Sequence, residues 1–244
     1  MTPRVVLVTG GGRGIGKAVV ARFAAAGDRV VAVGRDRLVL EESGAAETEV
    51  CDVTDEPGVE ELFRRLGRVD VLVNNAGASA SAPLGRTTLE DWRLLFEVNA
   101  TGAFLCTRAV LPGMIERADG RIVTVASVAG LAGSRYTAAY TASKHAAVGL
   151  MRAVASEVAG TGVTANAVCP AYVRTEMTER SVARISERTG RTAEEAEAAL
   201  AESSPLGRLL EPEEVAFAVA FLAAPEAGAV NGQALVLDGG GLQA

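Results

Sequence analysis

Tyr140 and Lys144 stand four residues apart in a run of helical character, so one helix face carries both side chains. An ammonium beside a phenol favours the phenolate, and the pair predicts a tyrosine whose pKa falls below its usual value of about 10. Such a group exchanges a proton near neutral pH, as a general acid or base must. Ser127, upstream at the end of an apolar run, offers a hydroxyl to a substrate oxygen that gains charge. A second cluster, Thr9-Gly10-Gly11-Gly12-Arg13-Gly14-Ile15-Gly16, follows the apolar residues 5–8 and opens a pattern in which Ile15, Val19 and Phe23 share a helix face. Strand, glycine turn and helix in that order predict a nucleotide site. Glycine lets a bulky ligand reach the backbone, and the free N–H groups at a helix start suit a pyrophosphate. The spacing is Gly10-x-x-x-Gly14-x-Gly16 rather than Gly-x-Gly-x-x-Gly. Taken singly, the glycines also read as a plain turn and the Tyr–Lys pair as an ordinary surface pair.

These residues need a frame to position them, and strand and helix patterns alternate along almost the whole chain. Strands are predicted at 5–8, 29–33, 47–50, 69–73, 121–125, 163–168 and 234–237. They are near-continuous Val/Leu runs, as when helices cover both faces of a parallel sheet. Residues 36–44 suit only a short helix. Pro57 sits in the first turn of a helix whose apolar face is Val59, Leu62, Phe63 and Leu66. A long helix is predicted from 89 toward 116, kinked or split at Pro112. Further helices are expected at 136–158 and 212–223, and two short ones in the strandless stretch 171–204. Repeated β–α units make a single-domain, doubly wound α/β fold over residues 1–244. Ligands bind such sheets at the carboxyl ends of the strands. There lie residues 9–16, Gly34-Arg35, Asp52, residues 74–77, Ser127 and Cys169-Pro170. Each is also ordinary turn chemistry when taken alone.

Composition narrows the function classes. The chain is 49% apolar but 4% aromatic, so Ala, Val and Leu build its core. A net charge of −6 argues against nucleic acid or an anionic membrane surface as a partner. No basic, apolar leader and no apolar run long enough to span a bilayer are read, which predicts a soluble, cytoplasmic protein. Cys51, Cys106 and Cys169 are scattered, and His145 is the one histidine, so neither a disulfide framework nor a metal site is expected. His145 points away from Lys144 around the helix and reads as structural.

Together Thr9-Gly10-x-x-x-Gly14-x-Gly16, Asp52, Asn74-Asn75-Ala76-Gly77, Asn99, Ser127, Tyr140-x-x-x-Lys144 and Pro170 resemble the short-chain dehydrogenase/reductase family over essentially the whole chain. The resemblance implies a Rossmann-type domain of about seven parallel strands with a nicotinamide cofactor. It implies that Tyr140 exchanges a proton with the substrate oxygen, Lys144 binds the nicotinamide ribose and lowers the tyrosine pKa, Ser127 orients the carbonyl, and Asn99 holds a water in a proton relay. The cofactor would meet Gly10, Gly12, Arg13, Gly14, Ile15 and Gly16 at the glycine turn. Asp52 and Val53 would meet adenine, Asn75, Ala76 and Gly77 the adenosine side, and Pro170, Val173 and Thr175 the carboxamide end. Ala171 departs from the glycine common after that proline. Dimers and tetramers are implied as well.

NAD-preferring relatives carry an acid at the end of the second strand for the ribose diol. Here Gly34 stands there, followed by Arg35, with Arg13 in the glycine turn. Two guanidinium groups suit a 2′-phosphate, which favours NADP(H) over NAD(H); Asp36 keeps NAD open. Substrate selection is expected from 78–86, 130–137 and a lid at 171–205. That lid resembles those of 3-ketoacyl-thioester and polyketide ketoreductases, implying reduction of a 3-oxoacyl thioester carried on acyl carrier protein or CoA. A dehydrogenase of a secondary alcohol, sugar or hydroxyacid is the rival, and a nucleotide-sensing regulator the alternative outside enzymes.

Overall fold

The computed structural model describes residues 3–202 and 204–242. Residues 1–2 and 243–244, at the ends of the expected domain, and Ser203, within the expected lid, lie outside the described residues. Seven strands form one sheet: β1 (Val5–Thr9), β2 (Arg29–Gly34), β3 (Glu47–Val50), β4 (Val71–Asn74), β5 (Gly120–Val125), β6 (Val163–Pro170) and β7 (Ala234–Leu237). Their order is β3-β2-β1-β4-β5-β6-β7 and every neighbouring pair is parallel. The chain reverses its direction of winding between β1 and β4, which opens a crevice at their carboxyl ends.

The central strands are buried on both faces, and their alternating side chains feed two cores. Leu7, Val31 and Leu72 pack on one side with α3 (Glu56–Leu66), α5 (Gly102–Glu116) and α6 (Ala138–Glu157). Val6, Val8 and Val73 pack on the other with α1 (Gly14–Ala25), α2 (Arg37–Glu41) and α9 (Pro212–Leu222). The predicted face of α3 is the buried one: Val59, Leu62 and Phe63 enter the core, with Leu66 against it. A small third cluster, Val182, Ala196, Leu200 and Leu209, joins α7 (Glu176–Thr189) to α8 (Ala193–Ala201). These are the two helices expected in the strandless stretch.

The long helix departs from expectation at two points. Pro112 lies inside α5 without splitting it. The irregularity falls earlier, where α4 (Leu89–Phe96) passes into α5 through a π-helical turn, Glu97–Thr101, that buries Asn99. Val110 and Met114, on either side of Pro112, are both in the core, and the helix continues through that segment. The continuous Leu89–Glu116 stretch is also long and apolar enough, by length and composition, to cross a bilayer, contrary to the sequence reading. Its Leu95, Leu105, Cys106, Val110 and Met114 are instead buried within the protein.

Candidate active site

Thr9, the last residue of β1, ties the crevice together. Its hydroxyl accepts from the Asn75 N–H at 2.9 Å and the Ala76 N–H at 3.0 Å. The Asn75 amide donates to the carbonyls of Thr9 and Gly10 at 2.9 and 3.1 Å. These bonds lock the glycine turn to the loop after β4. Gly16 permits the close approach: a Cβ there would lie 2.1 Å from the Gly10 oxygen. Gly10 and Gly14 adopt φ of 64° and 48°, which only glycine takes readily. Gly12 packs against Val39 and Ile15 against the α1 side of the core. No side-chain hydrogen bond caps α1 at Arg13. A close-set glycine cradle opening an uncapped helix fits a pyrophosphate.

Asp52, just past β3, accepts from the Thr54 N–H at 3.0 Å and its hydroxyl at 2.8 Å, closing a tight turn. Val53 beside it is buried against Gly102. Arg35 is exposed, 4.0 Å from Asp52. Arg13 donates to Glu176 at 2.7 Å and lies 3.9 Å from Asp36. The two expected phosphate ligands are therefore not free cations: each faces a carboxylate. Glu176, in the first turn of α7, was not anticipated, since 163 residues separate it from Arg13.

On the other side of the crevice, β6 ends in Pro170, paired with Leu237 of β7. Ala171 donates to the Leu237 carbonyl at 2.9 Å and is not among the residues with positive φ, so alanine is tolerated there. Val173 bridges to Leu210. Thr175 caps α7, and its Cγ2 would lie 2.9 Å from a Cβ at Gly14, so this segment closes over the glycine turn.

Ser127, Tyr140, Lys144 and Asn99 come together beside it. Ser127 follows β5, extended, its hydroxyl accepting from the Ala129 N–H at 3.1 Å. Helix α6 begins at Ala138 rather than at Tyr136, which holds a left-handed φ of 66°. Lys144 is buried and donates to the Val125 carbonyl at 2.9 Å; its Nζ stands 5.9 Å from the Tyr140 ring centroid. Gly77 leaves room here, for a Cβ there would sit 3.2 Å from Asn99 Oδ1 and 3.6 Å from Lys144 Nζ. The Asn99 amide exchanges hydrogen bonds with both backbone groups of Ala78, at 2.9 and 3.0 Å. It also donates to Ser143 at 3.0 Å, and Ser143 donates to the Tyr140 carbonyl at 2.8 Å. Ser143 carries no sequence signal of its own and was missed. His145 faces outward, its Nδ1 2.9 Å from the Thr141 carbonyl.

The electrostatics correct one expectation. Burial pushes the Tyr140 phenol above its ordinary value, and a hydrogen-bonding contact from Ser127 only partly opposes this. Lys144 does not lower it; burial instead brings the lysine down to about 8. A low-dielectric setting penalises both charged forms, leaving a protonated phenol beside a cation of reduced pKa.

A cavity of about 440 Å³ adjoins the first turn of α6. Ala80 and Pro83, Tyr136 and Ala139, and α7 all contribute to its walls. All three segments expected to select substrate therefore meet at one place.

Sheet order, glycine turn and Ser/Tyr/Lys cluster define a dinucleotide-binding oxidoreductase of the Rossmann type, and the comparisons name the family. The short chain dehydrogenase family model matches residues 4–186. A 3-oxoacyl-[acyl-carrier-protein] reductase of a Synechocystis strain is 38% identical, covering 98% of this chain and 97% of its own length. The meso-2,3-butanediol dehydrogenase of Serratia marcescens is 37% identical, covering 97% and 94%. Among solved structures, an actinorhodin polyketide ketoreductase with NADPH superposes with a TM-score of 0.92 at 40% identity, over 98% of this chain and 97% of that one. The chain belongs to the short-chain dehydrogenase/reductase family and is an NAD(P)-dependent oxidoreductase.

Proposed function

We propose that the protein reduces a 3-oxoacyl thioester to the 3-hydroxyacyl form with NADPH, Tyr140 acting as general acid. The observation that carries this reading is the half-buried Tyr140 phenol in hydrogen-bonding contact with Ser127, at the strand ends that hold the glycine cradle. When bound, NADPH supplies the hydride that adds to the carbonyl carbon. Tyr140 gives its hydroxyl proton to the carbonyl oxygen, and Ser127 orients that oxygen. Lys144 supplies a buried positive charge where the phenolate forms, a stabilisation strengthened by exclusion of water. Asn99 acts as a positioning residue: it fixes Ala78 and, through Ser143, the backbone at Tyr140. Its amide is engaged in these bonds rather than held free for a relay water.

Preference for NADPH is supported by Gly34 at the end of β2 and by Arg13 and Arg35 nearby. Asp36 argues less for NAD than its position suggests, because its carboxylate accepts from the Leu38 and Val39 N–H groups and caps α2. We read residues 171–205 as a lid over the substrate cavity, acyl carrier protein or CoA as the carrier, and the cytoplasm as the setting. Exposed Leu94 and Phe104 support self-association into a dimer or tetramer. Similarity to a butanediol dehydrogenase favours the second reading, oxidation of a secondary alcohol. Initial rates with 3-oxoacyl thioesters, simple ketones, sugars and diols, with either cofactor, separate the two. The thioester with NADPH should be fastest. Tyr140→Phe should then lose about 10²- to 10⁴-fold in kcat and keep its NADPH affinity; unchanged turnover would refute the role of Tyr140.

A further inference from the structure

The cavity beside α6 holds more positive charge than a neutral ketone requires. Arg86 reaches it from the turn at Leu84–Arg86, and Arg184 and Arg188 from successive turns of one face of α7. Asp91 is the single carboxylate in the lining among the described residues, and the Thr88 hydroxyl donates to it at 2.8 Å. None of the three arginines forms an ion pair among the described residues. Arg184 instead donates to the Ser81 hydroxyl at 3.2 Å, across from α7 to the loop after β4. Nearby arginines outside the cavity behave differently: Arg174 pairs with Glu197 and Glu211, and Arg180 lies 3.8 Å from Glu176. Guanidinium groups left without carboxylates therefore gather where the substrate-selecting segments meet.

We propose that this cavity is a subsite for an anionic group that the substrate carries several bonds away from its reacting carbonyl. The proposal deepens the thioester reading and rests on it for the placement of the reacting end. Guanidinium groups recognise phosphate and carboxylate alike, through paired, charge-assisted hydrogen bonds. In a thioester borne on a phosphopantetheine arm the anion is the phosphate; in a free oxo acid it is the carboxylate. Tyr136 and Ala139 line the cavity and Tyr140 follows Ala139 directly in α6, while Tyr140 and Ser127 themselves lie outside the lining. A substrate lying along this lining would present its carbonyl to Tyr140 and its anion to α7.

Calorimetric binding of 4′-phosphopantetheine and of unphosphorylated pantetheine to the protein with NADP⁺ bound tests the subsite without catalysis. The phosphate should strengthen binding about tenfold, and an Arg184→Ala/Arg188→Ala variant should lose that gain. Arg86→Ala should lose part of it, and Arg184→Lys should retain part. The kinetic arm compares 3-oxobutyryl thioesters of phosphopantetheine and of N-acetylcysteamine, which is neutral, with a free oxo acid. The ratio of kcat/KM for phosphorylated over neutral thioester should fall about tenfold in the double variant, through KM rather than kcat. A preference for the free oxo acid that vanishes in the same variant would support the subsite and assign the anion to a carboxylate. Equal binding with and without phosphate, unaltered in either variant, combined with no preference for the oxo acid, would overturn it. Phosphate-dependent binding without turnover of any thioester would support the subsite and refute the proposed reaction, so the two failures are distinguishable.

Discussion

The parallel sheet and the α7–α8 segment are built from the same chain by opposite means. In the sheet, Val6, Val8, Val31 and Leu72 are wholly buried between helical layers. Around α7 and α8, Val182, Ala196 and Leu200 form a satellite cluster with Leu209, and the exposed faces carry ion pairs such as Arg174–Glu197 at 2.8 Å and Arg180–Glu176 at 3.8 Å. Dense burial resists displacement, whereas exposed pairs contribute about 0–1 kcal/mol each. Groups that must keep a fixed geometry, Ser127, Lys144 and Asn99, hang from the dense region. The face that lines the proposed anion subsite, with Arg184 and Arg188, hangs from the lightly held one, whose local opening costs less.

Removing the same two methyl groups from each region tests this contrast most directly. Val31→Ala should cost about 2–3 kcal/mol of global stability, and Val182→Ala about 1 kcal/mol or less, because the small cluster can close around the loss. Urea unfolding of the two variants measures the gap; equal losses would erase the distinction.

Charge is handled differently too, and pH sharpens the comparison. Exposed Arg174 has its pKa raised by Glu197 and Glu211, whereas burial lowers Lys144 from 10.5 to about 8. Between those two lysine values the unfolded chain binds the extra proton, so stability attributable to Lys144 rises with pH across that window. Relative to Lys144→Met, the cofactor-free wild type should gain about 2 kcal/mol between pH 7 and pH 9.5. Paired thermal melts at the two pH values provide the measurement, and a difference independent of pH would refute it.

The smallest effect is expected where the regions touch. Glu176, opening α7, holds Arg13 of the glycine turn at 2.7 Å. Glu176→Gln should free that guanidinium and tighten NADPH by about two- to fivefold, leaving NADH unchanged. Fluorescence titration with both cofactors reads the difference; equal tightening would mean that Arg13 does not meet the 2′-phosphate.

Most of the frame was legible because its signals are local. Apolar runs between glycine, proline and polar punctuation placed all seven strands to within about two residues at each end, and β3 and β7 fell on their expected bounds. The glycine spacing and the Tyr140–Lys144 interval likewise express local geometry. The helix is not split at Pro112, because the proline is a local signal and the core packing of its neighbours carries the helix through. The π-helical turn is instead accompanied by Asn99 bonding Ala78 and Ser143, 21 and 44 residues distant. The tyrosine pKa was misjudged for a similar reason. Proximity to Lys144 can be counted along a helix, but desolvation depends on what the rest of the chain lays over it.

By itself, then, the sequence determined the order of strands and helices, the glycine turn, and the residue types available for proton transfer, because these follow from steric and periodic properties of neighbouring residues. Tertiary structure alone decided that Thr9 would clamp Asn75, that Glu176 would engage Arg13, that desolvation would raise the Tyr140 pKa, and that three arginines without a carboxylate partner among the described residues would share one cavity. Each of these depends on distance and dielectric between groups far apart in the chain, which no local pattern encodes.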